Sequence, residues 1–169
     1  TMNLYRLQEP PVSAETFEAI GRKFAIGGET QQFGSMMSAT GGESGFMMVD
    51  TETGRLVFNV NLAQHIDGNP GELPSDREAG QLAMEFLREN DLMPDAKQAV
   101  VAHVGRIRSA GFDPNSGRDT GPMDQALAVH FARQVDGIRV VGSGSKAVVQ
   151  IGDGAEIIGG GVQWRALGK

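Results

Sequence analysis

The residue types best suited to chemistry are His103 and His130. They stand symmetrically about a polar stretch centred near residues 116–117. If the segments on either side pair as a plain hairpin, the two imidazoles meet across it, and paired imidazoles are how many metal sites begin. Neither segment offers a third ligand, so paired sheet histidines are the plainer reading. Between them, Asp113, Asn115 and Asp119 fall at the first, third and seventh positions of a calcium-type loop, with Asp124 at the twelfth. Gly117 stands fifth, where an acid belongs, and Arg118 sixth, where glycine belongs. The same residues also make ordinary solvated loops. Neither a metal nor any other cofactor is therefore expected.

Met36-Met37 and Met47-Met48 are symmetric about Gly42, which predicts Met37 opposite Met47 and Met36 opposite Met48. Thioether clusters hold Cu(I). Adjacent strand residues point to opposite faces, however, so each face receives two sulfurs and core filling is the expected use. Gly142-Ser143-Gly144-Ser145 has no helix after it and reads as a turn, not a nucleophile elbow. Gly159-Gly160-Gly161 precedes a strand and makes a poor phosphate cradle. The chain has no cysteine, which excludes disulfides, thiolate metal sites and a cysteine nucleophile. An enzyme is not expected.

The elements that would position these residues follow from spacing. Met2–Leu7 reads as a strand ended by Pro10-Pro11. Ser13 caps a helix whose stripe is Phe17, Ile20 and Phe24, stopped by Gly27-Gly28. Strands follow at Gln31–Ala39, Gly45–Val49 and Arg55–Val60. The stretch His65–Leu73 reads as a linker. Then Ser75 and Glu78 form a capping box ahead of a second helix, with Ala79, Leu82, Ala83, Phe86 and Leu87 as its stripe. Ala99–Ile107 is a strand, Ser109–Asp124 a long polar loop, and Gln125–Val135 a strand. Asp136-Gly137 turns into Ile138–Val141. Lys146–Ile151, Ala155–Ile158 and Val162–Ala166 complete the pattern.

Length and composition fit that outline. The chain has 169 residues and 24 glycines, roughly twice the usual ~7%. Strands joined by short glycine turns favour an antiparallel sheet, because parallel strands need crossover helices. Net charge is −6. That argues against a nucleic-acid partner and against docking on an anionic membrane. No apolar run is long enough to span a bilayer.

The stretch Val135-Asp136-Gly137-Ile138-Arg139-Val140-Val141-Gly142, followed by Ala147–Gly154, Glu156–Gly160 and Trp164, resembles the PepSY and FTP type of peptidase-propeptide domain. There an aromatic, here Phe131, precedes Gly-Ile-x-Val, a strand, an Asp-Gly turn and another strand. Val49-Asp50-Thr51-Glu52-Thr53-Gly54 is similar to a hairpin of the same family. The whole chain also resembles the paired ectodomains of YycI and YycH type that modulate sensor kinases.

The expected fold is α+β: two tandem cystatin-like or PepSY-like units, each one helix on an antiparallel sheet. They would occupy residues 1–64 and 75–169, with 65–74 between them. The resemblance implies a non-enzymatic, extracytoplasmic domain that binds a peptide or protein partner, such as a secreted peptidase or a sensor-kinase ectodomain. A lipid or helix anchor upstream is compatible with it. Strand addition at an open sheet edge is the expected mode of binding, with Ile138, Val140 and Trp164 as contacts. Two alternatives stand beside it. One is a cell-envelope small-ligand or metal-binding protein, which needs one large apolar pocket lined by Met and Phe. The other is a cystatin-like enzyme, which needs His103 or His130 pointing inward at Asp124 or Asp136.

Overall fold

The computed structural model describes residues 5–9, 13–42, 45–60, 62–65 and 72–168. It is α+β, with two helices and one large antiparallel sheet. Helix α1 spans Ala14–Lys23, and Ser13 Oγ accepts from Thr16 N at its start. Helix α2 spans Asp76–Glu89. Its capping box is complete: Ser75 Oγ accepts from Glu78 N, and the Glu78 carboxylate accepts from Ser75 N. The two helices end in the same way. Ala25 and Asp91 adopt left-handed φ of 56° and 55°, and Ile26 N and Leu92 N donate back to Gly21 O and Leu87 O. The apolar residue after each turn, Ile26 or Leu92, is buried, as this cap requires. The stop of α1 therefore comes before Gly27-Gly28.

The strands are β1 (Arg6–Leu7), β2 (Gln31–Phe33), β3 (Met36–Gly41), β4 (Gly45–Asp50), β5 (Arg55–Asn59), β6 (Ala99–Asp113), β7 (Arg118–Val135), β8 (Ile138–Arg139), β9 (Ser145–Ile151), β10 (Ile157–Trp164) and β11 (Leu167–Gly168). Their order across the sheet is β2-β3-β4-β5-β10-β9-β7-β6, with β8 hung on the end of β7. Short β1 pairs with β11. Each helix is thus followed by neighbouring strands, and the seam between the two halves is β5 against β10, antiparallel. One apolar cluster runs across that seam. At its centre the rings of Phe24, Phe58 and Phe86 touch pairwise, with centroids 4.8, 5.5 and 5.6 Å apart. They tie the end of α1 to β5 and to α2. Of the expected linker, residues 66–71 lie outside those described, as do residues 2–4 of the expected first strand and the Pro10-Pro11 pair.

Three expectations need correction. The stretch Gln31–Ala39 is two strands, because Gly34, at φ 60°, turns the chain and sets Phe33 opposite Met36. The expected long loop Ser109–Asp124 is a hairpin. Strands β6 and β7 run on to Asp113 and Arg118, and the turn is 114–117. Since β9 pairs with β7 over Leu127–Ala132, this polar two-stranded ribbon projects beyond the sheet. Third, Gly159–Gly161 lies inside β10. A Cβ at Gly160 would sit 2.5 Å from Val148 O and 2.8 Å from Phe58 Cζ. Glycine is needed there so that the Phe58 ring can lie over the strand, not to make a turn.

The methionine register also shifts by two. Met37 opposes Val49 and Ala39 opposes Met47. Met37 and Met47 face the core, while Met36 and Met48 stand on the opposite face, so no four-sulfur cluster forms.

Two substitutions test these backbone arguments. Gly160→Val should lose about 1–3 kcal/mol by overpacking. Ala25→Gly should gain ~1 kcal/mol, because glycine holds a left-handed φ without strain. Chemical denaturation checks both; an unchanged midpoint for Gly160→Val would remove the steric account of β10.

Candidate functional site

Both helices cover one face of the sheet, and the other face is left open. Strand registers lay a continuous row of side chains across it: Ser38, Met48, Val57, Gly161, Val148, His130 and His103. Toward the β6 end of this row is a cavity of ≈ 510 Å³. Val148, Val140, Val141 and Gly161 contribute its apolar walls, Arg55, Arg139 and Lys146 its cationic ones, and His130 a neutral imidazole. No carboxylate lines it.

These cations come from elements far apart in sequence. Arg55 opens β5, Arg139 ends β8, and Lys146 lies near the start of β9. All three are exposed, and none makes a salt bridge among the described residues. The nearest acid in register is Asp50, opposite Arg55. Its carboxylate turns into its own hairpin instead, accepting from Thr53 Oγ1 at 2.8 Å and Glu52 N at 3.0 Å. Those bonds, led by that from the Thr53 hydroxyl, hold its pKa below the usual 3.8. Asp136, beside β8, accepts from the Tyr5 hydroxyl. With three cations lining it and Asp50 alone opposite one of them, the cleft keeps an excess of positive charge on a chain of net charge −6.

His103 and His130 do meet across β6 and β7, opposite in register and stacked with ring centroids 5.8 Å apart. A bulge makes this possible. Ala102 is the extra residue between Val101 and His103. Before it, Val101 faces the helices and packs on Gly80 of α2, whose added Cβ would lie 3.3 Å from Val101 Cγ2. After it, His103 points to the open face, the re-aiming that bulges provide. Neither imidazole bonds a carboxylate among the described residues. Asp124 pairs instead with Arg108 at 2.6 Å and Arg106 at 3.4 Å, and Arg106 also reaches Asp76 at 2.7 Å. The inward His–Asp pair that an enzyme of this class would need is not formed. No group of three or more His, Cys, Asp or Glu gathers among the described residues.

The calcium-type spacing does not make a cage. Asn115 is in the 114–117 turn, Asp113 closes β6, and Asp119 is in β7, where its Oδ1 accepts from Gly121 N. Asp124 lies roughly 15 Å farther along the strand. The hairpin carries Asp124 away from the end at which the other three lie. Nor is there one large pocket walled by Met and Phe. Where Phe17 and Met47 share a cavity, Glu18, Arg22 and Thr30 line it too.

Of the expected partner contacts, Val140 lines the cleft and Ile138 stands beside it, 65% exposed, with Val141 at 83%. Trp164 is a core anchor, 6% exposed, on a strand that is not an edge. Its Nε1 donates to Pro94 O at 2.7 Å, and the guanidinium of Arg133 lies 4.4 Å over its ring. Arg133 is fully buried and donates to Arg165 O at 2.7 Å. Burial holds its pKa below the ordinary value, with Asp95 opposing. It fastens the end of β10 rather than serving a ligand. Arg55, Arg139 and Lys146 were missed from sequence because only the strand register brings them together.

Burial, and then the neighbouring His103, push the His130 imidazole below its usual 6.5. The unfolded chain therefore binds this proton more readily than the folded one. Stability contributed by neutral His130 is present above the unfolded value and is lost as pH falls through the folded one. The melting temperature should fall between about pH 7 and 5, and His130→Gln should flatten that slope. An identical slope in the variant would refute the assignment.

No family model, no curated protein and no solved structure matches this chain.

Proposed function

We propose that the chain is a non-enzymatic, extracytoplasmic accessory domain that binds a peptide or protein partner and modulates it. The partner class is a secreted peptidase or a sensor-kinase ectodomain. That part, and the compartment, rest on the resemblance of residues 76–166 to PepSY-type domains. The same reading takes the chain as two tandem units joined edge to edge, which the repeated helix-then-strands order and the shared helix-end motif support.

The observation that carries the binding function is the open sheet face. It holds a cleft of ≈ 510 Å³, within the range of small binding sites, and exposed Ile138 and Val141 stand at its rim. Large apolar residues left in water beside a concave surface mark an interaction site. An extended segment laid across the cleft would bury Ile138, Val140 and Val141 while its backbone met polar rim groups.

A second reading keeps strand addition. The outer side of β6 carries no strand among the described residues. Between it and α2 runs a groove of ≈ 770 Å³ walled by Gly80, Met84 and Val101. A peptide added to β6 would lie against α2, a known mode of strand recognition.

Peptides selected from a random extended library separate the two. Binding to the cleft should be weakened about tenfold or more by Val140→Asp, and bound peptide should slow hydrogen exchange in residues 138–148. Protection in residues 99–108, with sensitivity to Met84→Glu, would transfer the site to the β6 edge. Protection in neither region would defeat both readings.

A further inference from the structure

We infer that the cleft on the open face selects its ligand by side-chain carboxylates: the extended peptide segment it takes is acidic. This rests on the reading of the cleft as the partner site and adds the chemistry of what it takes.

The argument begins with charge. Arg55, Arg139 and Lys146 converge on one cavity from three strands, and no acid lines it. Among the described residues, four other cations have acid partners. Arg106 and Arg108 share Asp124, Arg22 pairs with Glu18, and Lys23 with Asp91. Of the two acids near the cleft, Asp136 bonds Tyr5, and Asp50, though bonded to Thr53, keeps its charge beside Arg55. The three cations outnumber these acids; like charges raise one another's energy, and a bound anion relieves the excess. The net charge of −6 would by itself repel acidic ligands, so a local positive cluster is the feature able to capture one.

Shape narrows the ligand further. The cations are not on a bare surface. Val140, Val141 and Val148 line the same cavity. On the sheet, Lys146 opposes Ala132 while His130 opposes Val148, so Lys146 and His130 are diagonal neighbours on one face, at about 7–8 Å. Along β9, Lys146 and Val148 share this face two residues apart, a cationic position followed by an apolar one. An extended chain presents alternate side chains to one face at a similar repeat. The complement is a strand-like segment in which an aliphatic residue and a carboxylate recur. An arginine fork or lysine ammonium on a carboxylate makes a charge-assisted hydrogen bond about twice as strong as a neutral one.

The test uses N-acetylated repeats of Val-Glu, Val-Gln and Val-Lys carrying a neutral fluorophore, each with a free or an amidated C-terminus. Anisotropy reads binding to the intact chain. Val-Glu should bind at least about tenfold tighter than Val-Gln, and should weaken toward 0.5 M salt, about where exposed charges are screened. Tight binding of Val-Gln with a free end that is lost on amidation would overturn side-chain selection in favour of a terminal carboxylate. The double variant Arg139→Glu with Lys146→Glu changes two exposed side chains, so an unchanged melting curve is expected. It should lose Val-Glu and gain Val-Lys. If Val-Gln binds as well as Val-Glu with either end, and Val140→Asp still abolishes binding, the cleft is a partner site but carboxylate selection is wrong. If no peptide binds, or Val140→Asp changes nothing, the partner-site reading fails and this inference fails with it.

Discussion

The structure depends on a close approach between an aromatic ring and the three-glycine stretch of a strand. Phe58 on β5 lies over Gly160 on β10, and the space its ring fills is the space a Cβ would take. From that position the ring reaches Phe24 at the end of α1 and Phe86 in α2. One contact therefore joins the two halves of the sheet and both helices. A larger residue at Gly160 would lift the ring and loosen all of these together, because interiors are packed too densely to absorb it.

Everything on the open face follows from what happens on the covered one. Since α1 and α2 both use the same side, the opposite side of the central strands carries residues that core packing does not choose. Alternation along β9 shows this: Ser145, Ala147, Val149 and Ile151 are buried, while Lys146 is exposed. The cationic cleft is built in those intervening positions. The fully buried Arg133, on the helix side, plays the opposite part. It holds β10 in place through Arg165 O and the Trp164 ring, and breaking it would leave those groups unpaired.

The parts of this fold legible in sequence were the local ones. Ser13 and the Ser75–Glu78 box set the helix starts, and Asp136-Gly137 gave the β7–β8 turn, where both residues take positive φ. Symmetry about the polar stretch gave the pairing of His103 with His130. What was not legible had long-range causes. Gly159–Gly161 looks like a turn unless Phe58 is known to lie beside it. Asp- and Gly-rich residues 109–124 look like a loop unless strand pairing is seen to continue through them. Gly34 is a lone turn residue, easily read as part of one strand. The cleft was least visible, since Arg55 and Lys146 are brought near each other by strand order and not by spacing.

The extra residue at Ala102 has a consequence for how this chain can vary. Upstream of it, side-chain parity assigns Val101 to α2; downstream, it assigns His103 to the far side. Deleting Ala102 would leave Val101 opposite Phe131 and His103 opposite His130 in plain alternation, so both would keep their faces. The unpaired residue thus absorbs a loss that, in a regular strand, would turn every following side chain to the wrong side. A one-residue deletion should be tolerated at this point of the strand and not at its neighbours.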